Sequence, residues 1–217
     1  MSGEDIYESC RLLESRRDVQ PAQEPPVESI PVLPEPVTIR PAGLDDAPAL
    51  AALHVATWRE TYVGLLPDAM IAAHTVEMRM AIWTRILGDR ASGTGVAVAA
   101  GPVGLVGFGS CGAQRSAELA ADRFDGEVSA IYVRRAAQRR GTGTALMAAL
   151  AAHLLESGHR AASLWVLRDN AMARRFYERL GGVVVGERAE HREQGTLVEV
   201  AYGWCDLAVL RRGPMSG

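Results

Sequence analysis

Short apolar runs and longer amphipathic stretches alternate along residues 37–205. Runs rich in β-branched and aromatic residues predict strands, and apolar positions spaced three and four apart predict helices. The predicted strands are 37–40, 96–99, 103–111, 128–133, 162–167, 183–186 and 197–205, and the predicted helices run from Asp45 or Asp46 to about 57, then over 76–87, 144–157 and 170–180. The order β-α-α-β-β-β-α-β-α-β-β predicts a single α/β domain with a mixed, largely antiparallel central sheet flanked by helices.

The stretch 127–146 joins a predicted buried strand to a helix through a basic turn that contains Gly141 and Gly143. First-turn N–H groups of a helix have no partner inside it, and the helix dipole favours negative charge there. Glycines let the backbone approach a ligand closely, and the flanking Arg139 and Arg140 add positive charge. We therefore expect a phosphate-bearing ligand at this turn.

Two common phosphate motifs do not fit. A nucleoside-triphosphatase loop needs a lysine after its last glycine, and this chain contains no lysine. Residues 107–112 match G-x-G-x-x-G literally, but no amphipathic helix follows them, so close packing or a strand bulge is the better interpretation.

The turn instead matches Q/R-x-x-G-x-G/A, which resembles the coenzyme A loop of the GNAT superfamily of N-acetyltransferases. The resemblance implies that loop amides hold the pyrophosphate of acetyl-CoA and that the end of the preceding strand pairs with the pantetheine arm. The implied cofactor residues are Gln138, Arg139, Arg140, Gly141, Thr142, Gly143 and Thr144 in the loop, and Ile131, Tyr132 and Val133 on the strand.

A second motif lies about thirty residues further on. The segment from Asn170 through Ala173, Phe176 and Tyr177 to Gly181 resembles the N-x-x-A-x-x-F-Y-x-x-x-G segment of the same family. The resemblance implies that Asn170 hydrogen-bonds the pantetheine and that Tyr177 points its hydroxyl at the coenzyme sulfur. It covers residues 37–205 and implies the GNAT fold.

Acetyl transfer to a primary amine by direct attack requires a neutral amine, a stabilised oxyanion and a departing thiolate. Tyr177 is the candidate acid, and Glu127 is the candidate base, directly or through a water. The other interpretation of Glu127 is a solvated carboxylate at a strand end. His54 and His74 are expected to be surface or capping residues.

By the same resemblance, Trp58 and Tyr62 are expected to line the acceptor pocket, where aromatic rings can stack on an amine. An aminoglycoside, a polyamine, an amino-acid derivative and a protein N-terminus all remain open as acceptors. A homodimer is compatible with the resemblance.

The distribution of charged residues and prolines predicts where the domain begins and ends. The 217 residues carry a net charge of −3, but residues 1–36 hold eight acidic and three basic side chains, leaving 18 acidic against 20 basic. We expect an acidic, proline-rich tail over 1–36, with a short helix over 4–17 as an alternative to a frayed end, a domain over 37–207 and a C-terminal tail over 208–217. Residues 113–125 are expected to form a polar loop.

Three distant cysteines suggest neither disulfides nor a metal site, and no apolar run approaches membrane-spanning length, so a cytoplasmic protein is expected. Two other functions stay open. A non-catalytic acyl-CoA sensor would keep the loop without turnover. A nucleic-acid module would use the arginines at 134, 135, 139 and 140, but it lacks interleaved aromatics and a basic domain charge.

Overall fold

The computed structural model describes residues 37–192 and 195–211. The predicted N-terminal helix and proline-rich tail lie outside the described residues. The strands form one seven-stranded sheet, in the order β1-β2-β3-β4-β5-β7-β6. Every pair is antiparallel except β4–β5. The strands are β1 (Thr38–Pro41), β2 (Gly95–Gly101), β3 (Gly104–Ala113), β4 (Gly126–Val133), β5 (Ala162–Leu167), β6 (Val183–Arg192) and β7 (Gly195–Trp204).

The α-helices among the described residues cover both faces of this sheet. They are α1 (Ala47–Tyr62), α2 (Asp68–Ala72), α3 (Val76–Gly88), α4 (Ala117–Ala121), α5 (Thr142–Glu156), α6 (Ala171–Arg179) and α7 (Ala208–Arg211). One core cluster joins α1 and α3 to the sheet through residues such as Leu50, Trp83 and Phe108. Another joins α5 and α6 to the other face through Leu146 and Tyr177.

The predicted α/β class and mixed, largely antiparallel sheet are confirmed. Three short helices were not predicted. Helix α2 lies in the connection after α1, and α4 lies within the expected loop 113–125, where the Ser116 hydroxyl caps it by accepting from the Leu119 N–H at 3.5 Å. Helix α7 lies within the expected C-terminal tail.

The feature that positions the site is the parting of β4 from β5. The two strands pair in parallel only at Gly126↔Ala162 and Glu127↔Ser163. Beyond this point β5 stays paired with β7 as far as Leu167↔Glu199, while β4 stays paired with β3. The sheet therefore opens between the two strands.

A bulge and a clamp fix where the strands part. The β3–β4 register shifts between Ser110↔Ala130 and Cys111↔Val128, so Ser129 is an extra residue that bends β4. At the closed end, the Asp125 carboxylate accepts from the N–H groups of Arg160 at 3.2 Å and Ala161 at 3.1 Å. The Gly126 N–H donates to the Ala161 carbonyl at 2.9 Å. The opening thus has one fixed end.

Helix α7 gives a test of where the folded domain ends. Leu210 is 4% exposed in the core against α5, whereas its neighbour Val209 is 48% exposed. We predict that Leu210→Ala lowers the free energy of unfolding by roughly 2–4 kcal/mol, as expected for a buried leucine, whereas Val209→Ala changes it by less than about 0.5 kcal/mol. Urea unfolding measures both; equal, small effects would show that residues 208–211 do not belong to the core.

Candidate functional site

A cleft of about 700 Å³ occupies the opening between β4 and β5. Strand residues line it on both sides, including Ile131 to Val133 on β4 and Leu164 to Val166 on β5. The N-terminus of α5 and one side of α6 complete the wall. The predicted cofactor residues line this cleft, except Arg140, which is exposed, and Thr142, which is buried beneath the turn.

The turn before α5 is held open by its own backbone and side chains. Arg139 and Gly141 both have positive φ, 62° and 82°. The Gln138 side chain donates to the Val133 carbonyl at 3.0 Å, and the Thr142 hydroxyl donates to the Ala137 carbonyl at 3.3 Å. The Ala145 N–H donates to the Gly141 carbonyl at 2.9 Å, so the N–H groups of 142–144 precede the first bond of the helix. This is the anion-binding arrangement that the sequence predicts.

Gly143 allows close packing between helices as well as the close approach of a ligand. A Cβ at Gly143 would lie 3.2 Å from Cζ of Phe176 on α6. The glycine therefore lets the ends of α5 and α6 meet beside the cleft. Because of this contact, Gly143 is a poor position for testing ligand binding.

The basic segment after β4 divides into two parts. Arg134 and Arg135 are held by α1: the Arg134 Nε lies 2.8 Å from a Glu60 carboxylate oxygen, and the Arg135 N–H donates to the other oxygen at 2.8 Å. Arg139 instead lines the cleft. Arg175 and Arg179, which sequence reasoning did not single out, line it too, so the positive charge comes from two helices' ends rather than from one run.

Asn170 lines the cleft and also begins α6. Its Oδ1 accepts a hydrogen bond from the Ala173 N–H at 3.1 Å, which makes it the N-cap of the helix. Its Nδ2 is the atom left for a ligand. The spacing from Asn170 to Ala173 is thus explained by helix capping as well as by cofactor binding.

Tyr177 lies inside the cleft with a buried ring. It is 6% exposed and packs against Phe176, Tyr202 and Trp204, with ring centroids 5.3, 5.8 and 6.2 Å away. Tyr177 lines the cleft, and its hydroxyl forms no hydrogen bond with another described residue. Burial, with a smaller contribution from Tyr62, raises the pKa of Tyr177 well above its usual range, so the hydroxyl stays protonated.

The predicted acceptor residues differ in position. Tyr62 lines the cleft and its hydroxyl lies 3.2 Å from that of Tyr132. Trp58 lies behind Tyr62, with ring centroids 4.3 Å apart, and stacks on His74 at 3.9 Å. Burial raises the pKa of Tyr132 well above its usual range, and Tyr62 adds to this.

Glu127 lies at the closed end of the opening, on the strand pair that still holds. It is 7% exposed, so it is not the solvated carboxylate of the alternative interpretation. Arg115 occupies both its oxygens: Nε donates to Oε2 at 3.0 Å and Nη2 to Oε1 at 2.5 Å. This ion pair raises the pKa of the Arg115 guanidinium. Val128 lines the cleft, but Glu127 does not.

His54 is buried rather than at the surface or at a cap. It is 6% exposed and packs among the rings of Trp83, Phe108 and Tyr132, with centroids 5.7, 4.9 and 5.3 Å away. Burial first, and then the charges of Arg79 and His74, lower its pKa to about 3. His54 is therefore neutral at neutral pH.

Within the part of the chain that the structure describes, no group of three or more His, Cys, Asp or Glu side chains is arranged to hold a metal ion. Over the same residues, no helix has the length and apolarity needed to cross a membrane.

Residues 52–182 match the Acetyltransferase (GNAT) family, and the chain belongs to that family. It is 35% identical over 177 residues to the uncharacterized N-acetyltransferase YuaI of Bacillus subtilis, covering 81% of this chain and 96% of YuaI.

Solved structures with the same fold include two with a bound cofactor. The PaiA N-acetyltransferase of Thermoplasma acidophilum in complex with coenzyme A aligns with a TM-score of 0.58 at 16% identity, over 76% of this chain and 98% of that one. YncA of Salmonella typhimurium with acetyl-CoA aligns with a TM-score of 0.58 at 20% identity, over 79% of this chain and 94% of that one.

Proposed function

We propose that this protein transfers the acetyl group of acetyl-CoA to a primary amine, on a small molecule or a peptide N-terminus, by direct attack in a ternary complex. The observation that carries the proposal is the meeting, in one cleft, of the parted edge of β4, the N-terminus of α5 and the buried hydroxyl of Tyr177. Family membership and the cofactors named for PaiA and YncA support it.

On this proposal, each part of the cofactor has a matching surface. The pyrophosphate lies on the N–H groups at 142–144, with Arg139 adding positive charge. The pantetheine arm pairs with the backbone of Ile131 to Val133, which β5 has left unpaired. The acetyl group then lies near the bend at Ser129, where a backbone N–H of β4 can stabilise the oxyanion.

The reaction needs two proton movements. The neutral amine nitrogen attacks the thioester carbonyl, the C–S bond breaks, and the amine loses one proton while the thiolate sulfur receives one. Tyr177 serves the sulfur, because its protonated hydroxyl lies in the cleft with no other partner among the described residues. Tyr62 and Tyr132 lie on the opposite, acceptor side of β4 and orient the amine.

Glu127 remains the proposed base, acting through a water. Direct contact is disfavoured because Arg115 already donates to both carboxylate oxygens. The Arg115 side chain is itself 72% exposed, so water has access to the outer side of the pair. A relayed proton would leave through this water.

Thr144 gives a test of the anion site that spares the fold. It lines the cleft in the first turn of α5, where a carboxylate suits the helix dipole but opposes a bound pyrophosphate. We predict that Thr144→Glu raises the Kd for acetyl-CoA by at least about tenfold without lowering Tm. Thr144→Gln, which has the same shape and no charge, should stay within a few-fold of the wild type. Calorimetry measures both; equal affinities for the two variants would contradict the pyrophosphate position.

The acid is tested by Tyr177→Phe. The ring and its packing remain, so acetyl-CoA affinity should hold within a few-fold, while kcat falls by roughly 10², the lower end for a positioned acid, because thiolate is a good leaving group. Since burial raises the pKa of Tyr177, its loss of the proton begins only above about pH 10, and the wild-type rate should show no descending limb below that pH. Steady-state thiol release from pH 6 to 10 measures this; an unchanged kcat would leave Tyr177 as packing alone.

The base is tested by Glu127→Gln. Removing the carboxylate should lower kcat on the acceptor by about 10², while the Kd of acetyl-CoA stays unchanged. Glu118→Gln, on the exposed face of α4, is the matched control and should behave as the wild type. A Glu127→Gln enzyme with a normal kcat, but a lowered Tm, would show that Glu127 only holds Arg115 and its loop.

A further inference from the structure

Arg79 on α3 is a cation without a counter-ion. Among the arginines whose side chains the structure describes, it is the one that is not exposed and has neither an ion pair nor a hydrogen bond. Arg174, the other partly buried arginine of that set, donates to the Tyr202 hydroxyl at 3.2 Å. Burial lowers the pKa of Arg79, and Tyr132 opposes this shift.

Unpartnered polar nitrogens surround Arg79. Its own Nε is buried without a hydrogen-bond partner among the described residues, and so are Nε1 of Trp58, Nδ1 of His54 and Nε1 of Trp83. The guanidinium carbon lies 5.7 Å from the centroid of the Trp58 ring. Indole and guanidinium N–H groups can only donate. The Nδ1 of neutral His54 can donate or accept according to its tautomer, so the cluster holds three nitrogens that only donate and one that can do either.

This cluster adjoins the acceptor side of the cleft. The Trp58 ring packs at a 54° tilt against Tyr62, which lines the cleft, and Arg79 also acts electrostatically on His54 and His74. Glu199, whose charge reaches Tyr62, is already paired with Arg188 at 2.7 Å. Arg79 lies beside Trp58 and outside the lining of the cleft, so a negative group of the acceptor would meet this unpaired cation by passing Tyr62.

We propose that Arg79 binds a carboxylate of the acceptor, so that the substrates are amines that also carry an acid group, as amino acids do. This rests on the proposed acetyl transfer and narrows its acceptor. A carboxylate can take two parallel hydrogen bonds from a guanidinium, and a site closed by aromatic rings strengthens that pair. Polycationic acceptors, such as polyamines and aminoglycosides, would instead place like charge beside a partly buried arginine, which is unfavourable.

The competing account is structural. Arg79 could serve only to cover Trp58 through a cation–π contact, with water molecules accepting hydrogen bonds from its N–H groups. The two accounts differ in what they predict for ligands. A structural arginine affects stability equally with and without an acceptor, whereas a recognition arginine affects acids and spares their amides.

The test compares matched acceptor pairs in the full chain. L-leucine, L-phenylalanine, β-alanine and 4-aminobutyrate are each compared with their amides, and spermidine is added as a polycation. Thiol release gives acceptor KM and kcat, and Tm shifts in the presence of coenzyme A give binding that needs no turnover. In β-alanine and 4-aminobutyrate the carboxylate lies further from the amine than in an α-amino acid, so these two compounds show which separation the site accepts.

The variants are Arg79→Gln and, on the same helix, the exposed Arg85→Gln as control. We expect at least one acid to be preferred over its amide, and Arg79→Gln to raise the KM for that acid on the order of 10–100-fold, as for a lost charged hydrogen-bonded pair. Its KM for the amide and the Kd of acetyl-CoA should not change, and Arg85→Gln should match the wild type.

Two results would overturn the inference. One is the absence of any acid-over-amide preference in both turnover and Tm shift; the other is an equal effect of Arg79→Gln on acids and amides. Neither result touches the proposed acetyl transfer, which instead fails if acetyl-CoA binds and no amine of any charge is acetylated. The two failures are therefore distinguishable.

Discussion

Everything in the site depends on two strands that begin as neighbours and then separate. The parallel pair of β4 and β5 ends after Glu127↔Ser163, so the β5-facing backbone groups further along β4 have no strand to bond. Such groups are costly if they are buried and unpaired, and an extended ligand that pairs with them acts as a missing strand. The bulge at Ser129 and the Asp125 clamp fix this geometry before any ligand binds.

The loop and helix are placed by the same strand. The Arg134 N–H donates to the Val106 carbonyl at 2.8 Å, and the Gln138 side chain returns to the Val133 carbonyl. Glu60 fixes Arg134 and Arg135 to α1, so two of the four arginines in the run are held by contacts within the domain. The turn before α5 is thus a rigid extension of β4. A positive φ at Arg139, uncommon for a residue with a side chain, is the strained part of this turn.

The elements that the sequence predicts correctly are those whose signals are local. Strand β5 was predicted at 162–167 and is found there, because a short apolar run between polar turns defines it. The turn before α5 is likewise marked by Gly141 and by the start of the helix that follows it. The parting of β4 from β5 leaves no local signal, since it depends on pairing between strands more than thirty residues apart. Helices α4 and α7 are single turns or little more, too short for a helical period to be detected.

Side-chain environments account for the remaining differences. In the sequence, nothing distinguishes the positions of His54 and Glu127 from those of other polar residues. In the fold, aromatic rings enclose His54, and the Arg115 guanidinium donates to the carboxylate of Glu127. Arg79 looked like one more helical arginine, and only the lack of an acid among its described neighbours distinguishes it. Partners of this kind come from other elements, and residue spacing does not identify them.

The burial of Tyr177 also limits what it can contribute. Its pKa lies well above that of an ordinary thiol, about 8.5, so the phenol holds its proton more tightly than a free thiolate does. Thiolate charge developing beside it would raise that pKa further. On the proposed mechanism, the hydroxyl therefore stabilises the departing sulfur by donating a hydrogen bond, and the thiolate takes its proton from solvent after it leaves. A preorganised neutral donor held by the packing of its ring suits this role, because it is oriented before the sulfur departs.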